Sequence, residues 1–535
     1  MRKLYLCIMI ILLQLCAACA EPVKYTQTWT PAPAPSEVKW TVRTDYSGLT
    51  PYVSLRTRYT RLTDGPLEEL VASDGYGLLL PYASAAVTDS GYLQASMYGL
   101  VTAGGMVVTD LVYSSVARAY NSVTYNRPPL PAYTLSVNLP SGSGNAWFPE
   151  RRHAVCALDG SWVTPLEYES VVYTEEFILL VRDFSEFDVD IYDYSGELIY
   201  NMLDLDLASK LGEEAWPGDF IYSASEGYMR GRLGDGRIVF IELATGAFTN
   251  TSYSNAERFH EGFAAVQSYS RSANQNLWGF IDKNFKLVIQ PKYVYPPSSF
   301  MGGYAVAETL DGVQHVIDTR GETVISVDDG NISQNYDGSG FTIYDKEWNV
   351  TGLYSEDLSE YIPATRPGTQ GYTQSIGGGW YAHQLDGAMG TYLFSSDVEF
   401  FFRGYSAISQ VAGDYVVYHM YNGGESKMGV STLDGREIVP AEENTIITAI
   451  TLDSGDILFA VTSNSLFFMR ERADYHPGTY KVVTAAGETL AAGNGTLSFD
   501  EATGLFSILA EDTFTYLGSN CSMILCIPMM SYSLD

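Results

Sequence analysis

The sequence predicts an all-β protein of repeated units, most simply a β-propeller of seven or eight blades, and three observations predict it. The first is composition: of 535 residues, 46% are hydrophobic and 18% charged, with 40 Tyr, 23 Phe and 49 Gly. Aromatic side chains suit a pleated, half-buried surface, and abundant glycine suits many tight turns. The second is a hairpin pattern that recurs along the chain, and the third is its period of about 40 residues. No segment carries a long apolar pattern of 3.6-residue period, so very little helix is expected.

The chain begins MRKLYLCIMIILLQLCAACAEP, in which Arg2 and Lys3 precede an apolar run from Leu4 to Leu15 and then small residues. That is the layout of a secretory signal peptide, read as residues 1–18. Leu15-Cys16-Ala17-Ala18-Cys19 resembles a bacterial lipobox, with Cys16 where the usual motif has Leu; cleavage after Ala20 is the alternative. Lipidation is therefore expected at Cys19. Residues 19–38 form a tether that contains TPAPAP (Thr30 to Pro35), whose alternating prolines favour an extended spacer. Residues 39–535 form the β-repeat domain. The expected address is a membrane-anchored lipoprotein at the bacterial cell surface, or a secreted protein, touching the bilayer only through a lipid anchor.

Within the domain, Leu277 to Tyr293 reads LWGFIDKNFKLVIQPKY: two short apolar runs, a polar turn between them and a closing proline. This is the grammar of a β-hairpin. It recurs from Tyr98, Ala154 and Met428, and in diluted form from Asp188, Gln314 and Tyr480. A second element precedes it. FHEGFAAV from Phe259 and FMGGYAVA from Phe300 align at an offset of 41, and FRGYSAI from Phe402 and GDILFAV from Gly455 echo them. Units that recur at a fixed period bury their faces against one another.

The run from Phe259 to Ala307 resembles the WG-repeat family of exported bacterial proteins. The residues that carry the likeness are Gly262, Phe263, Ala264, Trp278, Gly279, Phe280, Ile281, Asp282, Ile289, Pro291 and Tyr293, while Phe285 stands where the turn glycine usually does. The likeness spans roughly Gly75 to Leu490, with a gap around Ile332 to Glu399. It implies a surface or exported protein, and no chemistry. About ten units with three strong strands each would regroup into seven or eight four-stranded blades; two smaller propellers or an open β-solenoid are the alternatives. A closed ring suits a chain with no helical cover, because it leaves no long sheet edge exposed. Trp278 is read as a packing residue between layers.

Acidic residues outnumber basic ones 63 to 31, for a net charge of -32. Such a field repels phosphate backbones and anionic lipid, so nucleic acid is excluded as a partner class. The six histidines show no HExxH and no zinc spacing, and His260 reads as a half-buried turn residue. No GxSxG occurs; Gly424 to Met428 is the nearest case, and the SxxK match Ser36 to Lys39 falls in the tether. Asp188, Asp190 and Asp193, and Asp328, Asp329 and Asn331, have the oxygens for calcium but lack the sharp glycine bend, and are read as solvated strand edges. Cys521 and Cys526 balance between a local disulfide and two thiols, and Cys156 reads as core.

No catalytic, cofactor or metal residue is assigned. The expected role is a monomeric binding or interaction module for a protein or carbohydrate ligand at the cell surface, without a cofactor. A carbohydrate-active propeller enzyme ranks second and a passive envelope element third. A deep axial pocket with convergent carboxylates and aromatics would favour the enzyme.

Overall fold

Blade 4 (residues 255–293) shows how the local sequence makes one unit. Its strands Asn255–Ala256, Phe263–Ser270, Gln275–Asp282 and Leu287–Tyr293 pair antiparallel in chain order. The first turn places Glu261 and Gly262 at φ 49 and 81, and His260 and Phe263 exchange backbone hydrogen bonds across it. Two successive positive φ values match the natural twist of a hairpin.

In the third strand the side chains alternate between neighbouring layers. Trp278 and Phe280 join Phe300, Ala305 and Ile317 of the next unit, whereas Ile281 joins Ile238 and Phe240 of the preceding one. Gly279 is required between them: a Cβ there would lie 2.3 Å from the Ile289 carbonyl oxygen. Asp282 then reverses the chain, its Oδ1 accepting from the backbone N–H of Asn284 and Lys286 at 3.0 and 2.9 Å. Phe285 adopts φ 59, the left-handed step that Gly196, Gly321, Gly435 and Gly487 take in the equivalent turns. Such strain typically costs about 1–3 kcal/mol. Here the ring is packed against Tyr228, Phe240 and Phe259, which offsets it.

The computed structural model describes residues 77–528 apart from short internal stretches, the longest being 140–149 and 464–477. The signal segment, Cys19, the tether and Ser36 to Lys39 lie outside the described residues. The unit repeats as ten blades of three or four strands: residues 115–157, 170–201, 228–250, 255–293, 304–327, 331–363, 371–403, 407–443, 445–494 and 496–528, numbered 1 to 10 here. One further sheet is a two-stranded hairpin, Leu79–Val87 with Leu93–Thr102. Short helical turns, Met202–Leu205 and Pro217–Ile221, occupy the link between blades 2 and 3.

Each described hydrophobic cluster joins one sheet to the next, and the succession closes on itself. Leu505, Phe514 and Tyr516 of blade 10 pack on Leu80, Tyr82 and Val101 of the hairpin. The hairpin's Leu79 and Leu100 pack in turn on Tyr133, Leu135 and Cys156 of blade 1. First strands of neighbouring blades, such as Gly371–Gly377, Ala407–Ala412 and Thr445–Thr451, touch one another and so form the inner edge of the ring.

The architecture is thus the expected propeller, with ten blades in place of seven or eight. The expectation regrouped strands so that every blade had four. Instead each repeat keeps its own blade: a strand can be as short as Asn255–Ala256, the first of blade 4, too short for any periodicity, and blades 1, 3 and 5 have three strands among the described residues. Blades 6 and 7 fill the stretch from Ile332 to Glu399, where the motif fades. Cys521 and Cys526 are free thiols, one in a turn and one buried in the strand Met523–Pro528, and Cys156 is core.

Candidate binding cleft at the ring closure

Of the carboxylates singled out from the sequence, Asp328 and Asp329 are exposed, whereas Asp188, Asp190 and Asp193 are held by the protein itself. Arg182 reaches Glu167 at 2.7 Å and Asp188 at 3.3 Å, and pairs with Asp190. Asn201 Nδ2 donates to both Asp188 and Asp190 at 2.7 Å, and Tyr168 Oη donates to Asp190 at 2.7 Å. Asp190 is therefore buried and not a solvated edge: a cation, an amide and a phenol replace its water. Burial and the adjacent Asp190 push the Tyr168 phenol far above its ordinary pKa. Asp193 instead serves its turn, accepting from the N–H of Ser195 and Glu197. Asp329 pairs with Lys346, and Asn331 accepts from Gln314. Among the described residues no group of three or more His, Cys, Asp or Glu is placed to hold a metal ion. His260 sits half-buried in its turn, and Trp278 is 2% exposed in the layer between blades 4 and 5.

A different place in the ring is open. Between the inner strands Thr496–Asp500 of blade 10 and Ser115–Tyr120 of blade 1 lies a cavity of about 700 Å³, backed by Leu80, Pro81 and Tyr98 of the hairpin. The hairpin edge behind it is closed to a further strand. The Leu79 carbonyl accepts from Tyr133 Oη at 2.8 Å, the Pro81 carbonyl accepts from Tyr516, and Pro81 has no N–H to give. Leu79 N–H is already spent on the Leu158 carbonyl. With its edge satisfied by side chains, the cleft suits a ligand that is not a β-strand.

Its walls are aromatic and hydroxylated. Tyr98, Tyr120, Phe499 and Phe514 supply ring surface, and Thr496, Ser498, Thr503 and Ser507 supply hydroxyls. Arg118 and Asp500 are the charged groups among the described lining residues. Arg118 Nε donates to the Leu130 carbonyl at 3.0 Å, and the guanidinium lies 5.9 Å from the Tyr133 ring centroid. Its Nη1 is buried without a hydrogen-bond partner among the described residues. Asp500 accepts from Ala502 N–H at 3.2 Å and from Thr503 Oγ1 at 2.9 Å, so the turn uses both its oxygens. Burial, then the charge of Asp500, raises the Tyr120 phenol above its ordinary value, keeping it a neutral donor. Across Phe499, Thr503 and Leu505 the cleft adjoins a second cavity of about 790 Å³ between blades 9 and 10, which carries Asp453, Glu501 and Asn520.

None of this site was singled out from the sequence. Arg118 and Asp500 stand near opposite ends of the chain in stretches with no motif, and only closure of the ring makes them neighbours.

Fold and cleft define a β-propeller repeat protein with a concave site where the ring closes. The family model of the WG containing repeat matches residues 278–307, the part of blade 4 and its successor that bears Trp278 and Gly279. No curated protein matches the chain. Among solved structures, a eukaryotic initiation factor aligns with 78% of this chain and 95% of its own at 8% identity and TM-score 0.37. The Dos1 propeller aligns with 60% of this chain and 93% of its own at 14% identity and TM-score 0.26. BamB from Moraxella catarrhalis aligns with 68% and 95% at 11% identity and TM-score 0.21. These likenesses concern the type of fold and carry nothing on function.

Proposed function

We propose that this chain is an exported, surface-tethered binding module that takes a saccharide in the cleft at the ring closure. The observation that carries the reading is the cleft's chemistry: aromatic ring faces and hydroxyls are interleaved around it, with Arg118 in its lining. Small-ligand sites are largely apolar clefts of roughly 300–1,000 Å³ with a few placed polar groups, and a cavity of about 700 Å³ falls in that range. A pyranose offers what these walls lack: a C–H face for the rings and oxygens for the hydroxyls and Arg118. Export rests on the signal-like residues 1–18 and on Cys19.

Binding is favoured over hydrolysis by the same walls. Glycoside hydrolysis ordinarily uses a pair of carboxyl groups across the scissile bond. Asp500 is the one carboxylate among the described residues of this cavity, and its oxygens are engaged in its own turn.

The test is a glycan array probed with the mature protein. We expect retention of a restricted set of glycans, weakened at least about tenfold by Tyr120→Ala. A folded protein that retains no glycan overturns the reading.

A further inference from the structure

Granting the saccharide reading, we infer that the ring carries a second sugar site, between blades 5 and 6, which takes a single uncharged sugar unit and makes the protein bivalent. The site originates in a local departure from the repeat. In blade 4 the inner strand Asn255–Ala256 is bracketed by two backbone hydrogen bonds, from Ser254 N–H to the Gln267 carbonyl and from Glu257 N–H to the Ala265 carbonyl. On its way into blade 5 the chain makes the corresponding two bonds, from Val294 N–H to Glu308 and from Ser298 N–H to Val306. Two residues lie between the bonds in blade 4, whereas three, Tyr295, Pro296 and Pro297, lie between them in blade 5. The extra residue has no place in the ladder and the prolines have no N–H to offer it, so the segment bulges. Tyr295 is thereby 60% exposed, in the lining of a cavity of about 360 Å³ that the inner-strand residues Ile332 to Gln334 of blade 6 also border.

The walls repeat the chemistry of the cleft at the ring closure. Each cavity has an exposed tyrosine in its lining, Tyr295 here and Tyr120 there, together with hydroxyls, here those of Ser298, Ser299 and Ser333. Each also has backbone groups capped by side chains. Gln334 Nε2 donates to the Met301 and Tyr304 carbonyls at 3.1 and 3.3 Å, Gln314 Oε1 accepts from Ile332 N–H at 2.7 Å, and Ser298 Oγ accepts from Val306 N–H at 2.8 Å. A peptide strand finds no ladder to extend there, whereas a sugar needs only a ring face and a few placed polar groups. One difference sets the ligand. Glu308 is the one charged group among the described lining residues, and Gln314 Nε2 donates to its Oε2 at 3.2 Å, which orients the carboxylate. Such a carboxylate accepts from sugar hydroxyls and repels an acidic sugar. A volume near the lower end of the roughly 300–1,000 Å³ usual for small-ligand sites suits one unit. Five blades separate this site from the first, so a ligand at one leaves the other open.

The test is isothermal titration of the mature protein with neutral tetrasaccharides of glucose, galactose, mannose and N-acetylglucosamine, and with tetragalacturonate as the acidic control. We expect one of the neutral set to fill two sites per chain. Tyr295→Ala and Tyr120→Ala should each leave one site and the double variant none, and tetragalacturonate should fill no site that Tyr295→Ala removes. Near-ultraviolet dichroism confirms that each variant is folded. A single site that Tyr120→Ala abolishes and Tyr295→Ala leaves unchanged overturns the second site and keeps the first. A single site lost through Tyr295→Ala alone keeps the second and overturns the first. If no neutral sugar binds, the second site is wrong, and the glycan array decides the first by itself.

Discussion

Trp278 is the residue at which sequence and structure meet most directly. It lies in one layer with Phe280, Tyr293, Phe300 and Ala305, so its ring is shared by two blades. Truncating a buried aromatic typically costs about 3–5 kcal/mol through lost transfer energy and the cavity left behind. Trp278→Ala should cost that much in denaturant unfolding, with protease cleavage rising first between residues 259 and 307, because each unit leans on its neighbours. A loss within about 0.5 kcal/mol, as at a surface site, would show that the ring is not a packing element. Gly279 and Phe285 follow the same logic: one admits a backbone that a Cβ would strike, and the other exchanges a strained φ for ring contacts.

At the scale of the element, the first hairpin turns tie consecutive blades together. Glu175 accepts from Asn121 Nδ2 and from Glu226 N–H, Glu226 accepts from Gly262 N–H, and Glu261 accepts from Gly302 and Gly303 N–H. These acids are fasteners, which explains part of the acidic composition. Blade 1 adds a pH dependence. In the strand Glu150–Ala157, His153 lies with Nδ1 2.8 Å from Ser136 Oγ, and burial, assisted by Arg151 and Arg152, lowers its pKa to about 4. Unfolding returns it to an ordinary value of roughly 6.5. Between those values the unfolded chain binds the proton and the folded one does not, so stability falls as pH drops through that window. The melting temperature of the wild type should therefore decline more steeply from pH 6.5 to 4 than that of His153→Gln. Parallel curves would refute the assignment.

For the whole molecule, closure joins the beginning of the described chain to its end. Tyr516 of blade 10 and Tyr133 of blade 1 both reach the edge of the hairpin, so the two ends of the ring are locked by side chains as well as by the core. A closed body has no long exposed edge, which suits a β-protein whose sheets have little helical cover among the described residues. The proposed address is a property of the whole chain too. If lipidation at Cys19 is its one tether, the Cys19→Ser variant should leave the membrane fraction and appear in the medium. Unchanged membrane association would remove the lipoprotein proposal.

The sequence by itself determined the unit. Trp278-Gly279, the Asp282 turn and the His260 to Phe263 hairpin are local: alternation, a glycine at a close approach and a side-chain oxygen that caps a turn are all written within about 40 residues. Blades 6 and 7 were hard to read for a local reason as well, since strands such as Tyr361–Pro363 are too short for alternation to register, although Gly352 repeats the close approach of Gly279, here to Tyr361. The number of blades and the site were not written locally. A two-residue strand such as Asn255–Ala256 exists only because a neighbouring strand supplies its partners, and Arg118 and Asp500 line one cavity only because the last blade packs against the first hairpin. Contacts between the ends of a chain leave no period in it, so tertiary structure alone decided where this protein opens a cleft.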